Sequence, residues 1–282
     1  MTQQNHYLVI GGTGKTGRKV AEGLQQLDQV VRIGSRSSDP VFDWTNQATW
    51  PTALEGMDKI YITYYPDLAV PGALDAIKGL TEAAKKAGIK KVVLLSGKGE
   101  KEAERSEQVV ANSGLDYTLV RASWFSQNFS ESFLLDPILA GYVALPMPNA
   151  KIPFVDTTDI AEVVVKALVE EGHNGKTYEI TGPRALTFEE VVQEISVATG
   201  KDIQYQAVTL EAYNAMMKGA GVPADYIWLF DYLFREVLSK DENQVVSNDV
   251  EKVLGRKAID FKDYVQRTMQ TGVWDQIIPQ SI

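Results

Sequence analysis

The sequence predicts an α/β fold in which a parallel sheet is covered by helices on both faces. Two observations predict it: strand and helix patterns alternate through the first two thirds of the 282 residues, and a glycine-rich segment follows the first apolar run. Alternation of this kind is typical of parallel sheets, because each strand is followed by a helix that returns the chain to the same edge. The expected strands are 7–10, 30–34, 59–64, 91–96, 117–121 and 176–181.

The first predicted strand runs directly into the segment Gly11-Gly12-Thr13-Gly14-Lys15-Thr16-Gly17. Gly12, Gly14 and Gly17 have the spacing of the Rossmann dinucleotide motif, in which glycines permit a tight turn and close approach of the backbone to a pyrophosphate. The helix that starts here offers free N–H groups to those phosphates. A triphosphate-binding P-loop would need a glycine at Val9, inside the strand, so that alternative is set aside. We therefore expect a doubly wound Rossmann sheet with 11–17 as the phosphate loop.

The second predicted strand, 30–34, ends among serines that surround Arg36. Folds that prefer NAD place an acid here for the ribose 2′-hydroxyl group. A guanidinium instead pairs with the 2′-phosphate of NADP, which a carboxylate would repel. We therefore predict NADP(H) as the cofactor, held in part by Ser35 and Arg36. Asp39 or Asp43 leaves NAD open as an alternative.

The later strands are separated by helices expected over 71–87, 100–112 and 158–171. Ligands bind where the strands of such sheets end. The residues expected to contact the cofactor there lie at the ends of the third, fourth and fifth strands or just after them, and they are Thr63, Tyr64, Tyr65, Ser96, Gly97 and Trp124.

The pattern changes in the last hundred residues, where helices are expected over 187–199, 210–218 and 223–234, with a short strand at 203–208. We predict two domains: an NAD(P)-binding Rossmann domain over 1–182 and a smaller, mainly helical α+β domain over 183–282, packed on it as a substrate lid. The helix 223–234 is dense in aromatic residues that suit an apolar pocket.

Composition excludes several classes of function. The formal net charge of −9 disfavours nucleic-acid binding, which needs a basic face. No apolar run approaches the ~20 residues of a membrane helix, and the early first strand leaves no room for a signal peptide, so we expect a cytoplasmic protein. With no cysteine and two histidines, no metal site is expected. The expected partner is a small molecule, and the chain is expected to be a monomer or a homodimer.

Five segments carry a resemblance to a known family: 11–17, 92–97, 119–129, 152–161 and 249–256. They resemble the NmrA-like branch of the atypical short-chain dehydrogenases/reductases, with Ala122 where proline is usual. Within it they look most like bacterial relatives of the ergot-alkaloid (festuclavine-type) dehydrogenases. The resemblance covers nearly the whole chain and implies an NADPH-dependent oxidoreductase. Quinone and triphenylmethane-dye reductases are further relatives, as are regulators that bind dinucleotide without turning it over.

The Tyr-x-x-x-Lys pair that supplies the proton in conventional members is absent from this sequence. No tyrosine occurs between Tyr65 and Tyr117, and the motif occurs nowhere else in the chain. We therefore expect hydride transfer to a small electrophilic acceptor that needs little acid help, such as an imine or iminium, a quinone or a dye. A non-catalytic NADP(H) sensor is the alternative. A sugar-nucleotide epimerase ranks third, because it needs the missing tyrosine.

Two residues at strand ends are candidates for catalysis, Lys98 and Tyr64. Lys98 is favoured as proton donor, because a partly desolvated lysine can be tuned toward neutrality. Phe125, Asn128 and Trp228 are the candidate residues of the substrate pocket.

Overall fold

A computed structural model describes residues 4–276 and has a six-stranded parallel sheet at its centre. The strands of this sheet are β1 (His6–Ile10), β2 (Val30–Gly34), β3 (Lys59–Ile62), β4 (Lys91–Gly97), β5 (Asp116–Ala122) and β7 (Lys176–Ile180). They lie in the order β2-β1-β3-β4-β5-β7, and every neighbouring pair is parallel. The predicted α/β class and the six predicted strands are confirmed.

The strand order of the sheet reverses next to β1. The chain passes from β1 to β2 on one side and then to β3 on the other. At such a switch point the connecting loops diverge and leave a crevice at the carboxyl ends of the strands, where ligands of this fold class bind. The loops after β1, β2, β3 and β4 are therefore the ones that can build a site in this part of the molecule.

Helices connect the strands and also make up most of the later chain. They are α1 (Gly17–Gln26), α2 (Trp50–Leu54), α3 (Ala73–Ala87), α4 (Lys101–Ala111), α5 (Asn128–Glu131), α6 (Leu135–Leu139), α7 (Thr157–Val169), α8 (Phe188–Thr199), α9 (Leu210–Gly219), α10 (Ala224–Tyr232), α11 (Asp249–Leu254) and α12 (Phe261–Met269). Two short strands, β6 (Tyr142–Leu145) and β8 (Gln204–Ala207), pair in parallel as a second sheet. No helix among residues 4–276 is both long and apolar enough to cross a membrane.

Local sequence explains where several of these helices start and stop. Gly88 ends α3 in the left-handed conformation, at φ +80°. Thr187 and Glu190 form a capping box that starts α8, since each side chain accepts a backbone N–H of the other residue. The predicted aromatic helix is α10, which continues as a π-helical turn over Leu233–Leu238.

The chain divides into two compact units, each with its own apolar core. The first contains the described residues up to Ala122 together with Thr157–Ile180 and Lys252–Gly255. The second contains Ser123–Asp156, Thr181–Glu251 and the described residues from Arg256 onward. The predicted boundary at 182/183 differs from this division, because it assigns 123–156 to the first domain.

Aromatic packing explains why the segment 123–156 belongs to the second unit. The Phe154 ring lies 5.8 Å from Phe188 and 5.7 Å from Phe261, measured between centroids. Phe129 lies 5.7 Å from the same Phe261 ring. These partners follow in the chain by more than 30 residues, so the local sequence pattern around β5 does not reveal them.

A buried ion pair fastens α4 to the central sheet. Arg121 on β5 donates three hydrogen bonds of 2.6–3.1 Å to the Glu107 carboxylate, whose side chain is only 3% exposed. These hydrogen bonds raise the pKa of Arg121. The positive charge of Arg121 therefore compensates the buried negative charge of Glu107.

Replacing Arg121 with methionine is expected to lower the free energy of unfolding by about 3 kcal/mol, because it leaves the buried Glu107 carboxylate without its cationic partner. The matched control is Arg105→Met, which removes an exposed ion pair to Glu102 and is expected to change stability by less than about 0.5 kcal/mol. Urea titration of both variants checks the difference. Equal stability of the two variants would show that the buried pair does not stabilise the fold.

Candidate functional site

The segment between β1 and α1 forms a tight loop that requires glycine. Gly11 has a φ of +71°. A Cβ atom at Gly17 would lie 2.2 Å from the Gly11 carbonyl oxygen, and a Cβ at Gly12 would lie 2.8 Å from Ile33 Cδ1. The clash at Gly17 is with backbone atoms and could be relieved only by moving the backbone, whereas the clash at Gly12 would require the Ile33 side chain to shift. The loop therefore closes in this way because neither position has a side chain. At Gly14 the surroundings are open apart from the same oxygen, at 3.2 Å.

The helix that this loop introduces has an N-terminus suited to an anion. Among residues 4–276, no side chain caps the first turn of α1, and that turn contains no acidic residue. The first N–H groups of a helix need acceptors, and the helix dipole favours a negative charge at this end. The loop 11–17, with Thr13, Lys15 and Thr16 between its glycines, is thus chemically and sterically suited to a phosphate group.

Two residues at the end of β3 or just after it, Tyr61 and Thr63, contact the glycine loop. Tyr61 on β3 donates a hydrogen bond of 2.9 Å from its hydroxyl to Thr16 Oγ1. A second hydrogen bond joins Tyr61 to Thr63, and burial raises the pKa of the Tyr61 phenol. Thr63 Cγ2 lies 2.4 Å from the position a Cβ would take at Gly11. Thr63 is therefore positioned beside the first glycine of the loop.

The loop after β2 presents Arg36 on a hydrogen-bonded turn. Ser38 donates from its hydroxyl to the Ser35 carbonyl at 2.8 Å and accepts the Ser35 N–H at 2.9 Å. Arg36 is exposed, and its guanidinium makes no hydrogen bond within the described residues. Five N–H donors are thus available to an external anion.

Asp39 and Asp43, the two acids that could favour NAD, differ from Arg36 in their surroundings. Asp43 Oδ1 accepts both the N–H and the hydroxyl group of Thr45, at 2.9 and 2.8 Å. These hydrogen bonds hold the pKa of Asp43 below its usual value, with a further contribution from the Arg36 charge. Asp39 is exposed on the same loop. The carboxylate of Asp43 is therefore already engaged, whereas the guanidinium of Arg36 is available.

These features together fit a dinucleotide with a 2′-phosphate. A glycine-rich loop, an uncapped helix N-terminus and an exposed arginine after β2 are the complements of a pyrophosphate and a ribose phosphate. No group of three metal-binding side chains is found in the part of the chain that the structure describes.

The predicted residues at the ends of β3 and β4 have unlike surroundings. The Tyr64 ring packs 4.8 Å from the Trp44 ring, and burial raises its pKa. Tyr65 is 73% exposed. Ser96 is buried, and its Oγ has no hydrogen-bond partner among residues 4–276. Lys98 is buried too, with its Nζ 3.7 Å from Glu179 Oε2.

A pair of acids in the same two loops escaped the sequence analysis. Asp67 follows β3 and Glu100 follows β4, and their side chains hydrogen-bond to each other. Burial raises the pKa of Asp67, and burial together with the charge of Asp67 raises the pKa of Glu100 well above its usual range. An acid placed just after each of two adjacent parallel strands is the signal that could have revealed the pair.

The predicted cofactor contact Trp124 and the predicted pocket residues all belong to the second unit. The Trp124 ring lies 5.6 Å from Phe188 and 5.6 Å from Phe234, and its Nε1 is buried with no partner among the described residues. Phe125 forms a parallel bridge with Val155.

The two remaining pocket candidates lie on helices. Asn128 is the first residue of α5. Trp228 on α10 is 41% exposed, and its ring stacks on Tyr232 at a centroid distance of 5.4 Å. The cofactor candidates before residue 122 thus lie in one unit, while Trp124 and the acceptor candidates lie in the other.

The sheet order and the glycine loop define a protein of Rossmann type. Residues 3–269 match the model of the NmrA-like family. An NAD(P)H azoreductase from Xenophilus azovorans is 30% identical over 280 residues, which are 92% of this chain and 96% of that protein. The chain therefore belongs to the NmrA-like family, and the resemblance found in its motifs is confirmed.

Two further similarities agree with this assignment. An agroclavine dehydrogenase from Claviceps fusiformis is 28% identical over 276 residues, 92% of this chain and 95% of that protein. The solved structure of the NADPH-dependent quinone oxidoreductase QOR2 from Escherichia coli, in complex with NADPH, has a TM-score of 0.77 at 23% identity. The structural alignment covers 94% of this chain and 99% of the QOR2 chain. At that identity the structural likeness shows the shared fold.

Proposed function

We propose that this protein is an NADPH-dependent reductase that transfers hydride to a small electrophilic acceptor. The observation that carries the proposal is the glycine loop of 11–17 in combination with the available guanidinium of Arg36. The names of the relatives, an NAD(P)H azoreductase and an agroclavine dehydrogenase, support oxidoreduction as the activity, and the first supports its reductive direction. The acceptors proposed are imines or iminium ions, quinones, and azo or cationic dyes.

The binding roles follow from the chemistry of each group. The loop 11–17 and the start of α1 hold the pyrophosphate, and Arg36 with Ser35 holds the 2′-phosphate. Thr63, Tyr64, Tyr65, Ser96 and Gly97 line the remaining cofactor site, with Trp124 as a further proposed contact. When bound, NADPH supplies the hydride.

The chain's own contribution to the reaction is to position the acceptor and to exclude water from it. Phe125, Asn128 and Trp228 are proposed to contact the acceptor. Lys98 and Tyr64 are proposed to orient it. Lys98 Nζ is engaged with the Glu179 carboxylate, and burial raises the pKa of Tyr64, which makes that phenol a weaker acid. Acceptors that need little acid assistance therefore fit these residues best.

Steady-state oxidation of NADPH by the purified protein tests the proposal. A panel of cyclic imines, quinones, azo dyes and cationic triarylmethane dyes is offered, and the loss of NADPH absorbance is followed. Turnover of at least one acceptor class, faster with NADPH than with NADH, is expected. Tight NADPH binding without turnover of any acceptor would instead favour a dinucleotide sensor, and isomerisation of a sugar nucleotide would favour an epimerase.

A further inference from the structure

The acid pair Asp67 and Glu100 lies at the edge of the sheet where ligands of this fold bind. β3 and β4 are adjacent and parallel, with Ile62 level with Leu94, so the loops after them emerge side by side. Asp67 is held in its loop by the Ala69 N–H, which donates to Oδ1 at 2.7 Å. Glu100 directly precedes α4, without capping it. The loops that carry Tyr64 and Lys98 are therefore the same loops that carry the two acids.

The Glu100 carboxyl group is packed against the backbone of its own turn. A Cβ at Gly97 would lie 1.8 Å from Glu100 Oε1 and 2.6 Å from Oε2, so the absence of a side chain at Gly97 makes the space that this carboxyl group fills. Glu100 is 7% exposed, and its Oε2 has no hydrogen-bond partner among residues 4–276. Asp67 is only partly buried. One acid is thus in the interior, and its partner connects it to the surface.

The charges around the pair favour retention of a proton. The charges that act on Glu100 are those of Asp67 and of Glu107 on α4. Glu107 is compensated by Arg121 through three hydrogen bonds. Within residues 4–276, no lysine or arginine side chain forms an ion pair with Asp67 or Glu100. In such a setting ionisation of the second of the two carboxyl groups is disfavoured, so one proton is shared between them at neutral pH.

We propose that Asp67 and Glu100 together supply the proton needed to reduce neutral acceptors, in place of the missing tyrosine. The proposal rests on the proposed reductase function. It assigns the substrate class more narrowly, because a neutral quinone or azo compound needs both a hydride and a proton, whereas a cationic iminium ion or dye needs only the hydride.

The reaction balances as follows for a quinone. The acceptor gains the hydride from NADPH, breaks its carbonyl π bond and becomes a hydroquinone anion, while the cofactor is oxidised to NADP⁺. The anionic oxygen then takes the proton shared by Asp67 and Glu100, which leaves both as carboxylates. One proton from water restores the pair. The sum is quinone, NADPH and one proton giving hydroquinone and NADP⁺.

The test compares two acceptors in the variants Glu100→Gln and Asp67→Asn. Each amide can still donate a hydrogen bond to the remaining carboxylate, so the contact is kept while the transferable proton is lost. The ratio of kcat for a neutral naphthoquinone to kcat for a cationic triarylmethane dye is expected to fall roughly 100-fold in both variants. Glu82→Gln makes the same change at a carboxylate 61% exposed on α3, and its ratio is expected to match the unsubstituted protein.

Two further readouts separate proton supply from a structural role. In the unsubstituted protein, kcat for the quinone is expected to fall as the pH rises through the pKa of the pair, and this fall is expected to vanish in both variants. The infrared spectrum of the unsubstituted protein at neutral pH is compared with that of each variant. The difference is expected to contain the C=O stretch of a protonated carboxyl group that both variants lack.

The other possible results contradict the role of Asp67 and Glu100 as the proton source, and each points to a different explanation. Equal slowing of both acceptors would indicate a purely structural pair, and an unchanged ratio would show that the proton comes from elsewhere. Absence of the carboxyl band from the unsubstituted protein would show that no proton is held. If the unsubstituted protein reduces neither acceptor while it binds NADPH, the reductase function itself fails, and the role of the pair fails with it.

Discussion

The variant Gly17→Ala is expected to bind NADPH at least about 100-fold more weakly than the unsubstituted protein, a loss of roughly 2.7 kcal/mol in binding free energy. The added Cβ would lie 2.2 Å from the Gly11 carbonyl oxygen and 2.9 Å from Gly12 Cα. Both of these atoms belong to the backbone, so the clash cannot be relieved by rotating a side chain. The loop must open, and its N–H groups then lose their common direction toward a phosphate.

Fluorescence titration with NADPH measures this effect, and thermal unfolding shows whether the fold survives. Gly219→Ala near the end of α9 is the matched control, because a Cβ there meets nothing within 4 Å. Its affinity is expected to be unchanged. Undiminished NADPH affinity in Gly17→Ala would show that the loop does not hold the cofactor.

The second large effect is expected at Arg36. Removing the guanidinium in Arg36→Ala is expected to weaken NADPH binding about 10- to 100-fold, the range for charge-assisted hydrogen bonds of 1.5–3 kcal/mol. NADH lacks the 2′-phosphate, so its affinity is expected to change by less than about 3-fold. The preference for NADPH therefore disappears, while the ability to bind a dinucleotide remains.

Parallel titrations with the two cofactors check this expectation. Arg36→Lys keeps the positive charge but loses the bidentate hydrogen-bonding geometry of the guanidinium. This variant is expected to retain part of the preference for NADPH over NADH. Arg105→Ala removes an arginine that is also exposed, on α4, and serves as the control for a general change in surface charge. If NADPH and NADH weaken equally in Arg36→Ala, the arginine does not distinguish them.

The sheet could be predicted because its signals are local. Most of its strands contain a short apolar run that is followed by a turn and a helix, as with Tyr7-Leu8-Val9-Ile10 before the glycine loop. The strand β6 escaped prediction, since it is short and pairs with β8, some 60 residues later in the chain. The place of 123–156 in the second unit escaped for the same reason, because Phe154 packs on Phe188 and Phe261.

The candidate site could be predicted in part. The glycine loop follows a fixed spacing, and the close contact of Gly17 with the Gly11 carbonyl oxygen gives that spacing a physical basis. The environment of Lys98 could not be predicted, because Glu179 lies on a strand 81 residues later in the chain. The pairing of Asp67 with Glu100 depends on two loops of the folded sheet and has no local pattern. The roles of these residues in catalysis and cofactor binding stay predictions.

Transfer of deuterium from NADPH deuterated at the reactive face of C4 tests the central claim most directly. The acceptor should be a cationic triarylmethane dye, since the new C–D bond of its reduced form does not exchange with water. We predict that mass spectrometry finds one deuterium at the central carbon of the product, with one NADP⁺ formed for each molecule reduced. Stoichiometric binding of NADPH with no oxidation and no labelled product, across the whole acceptor panel, would contradict the account and leave a protein that binds the cofactor without using it.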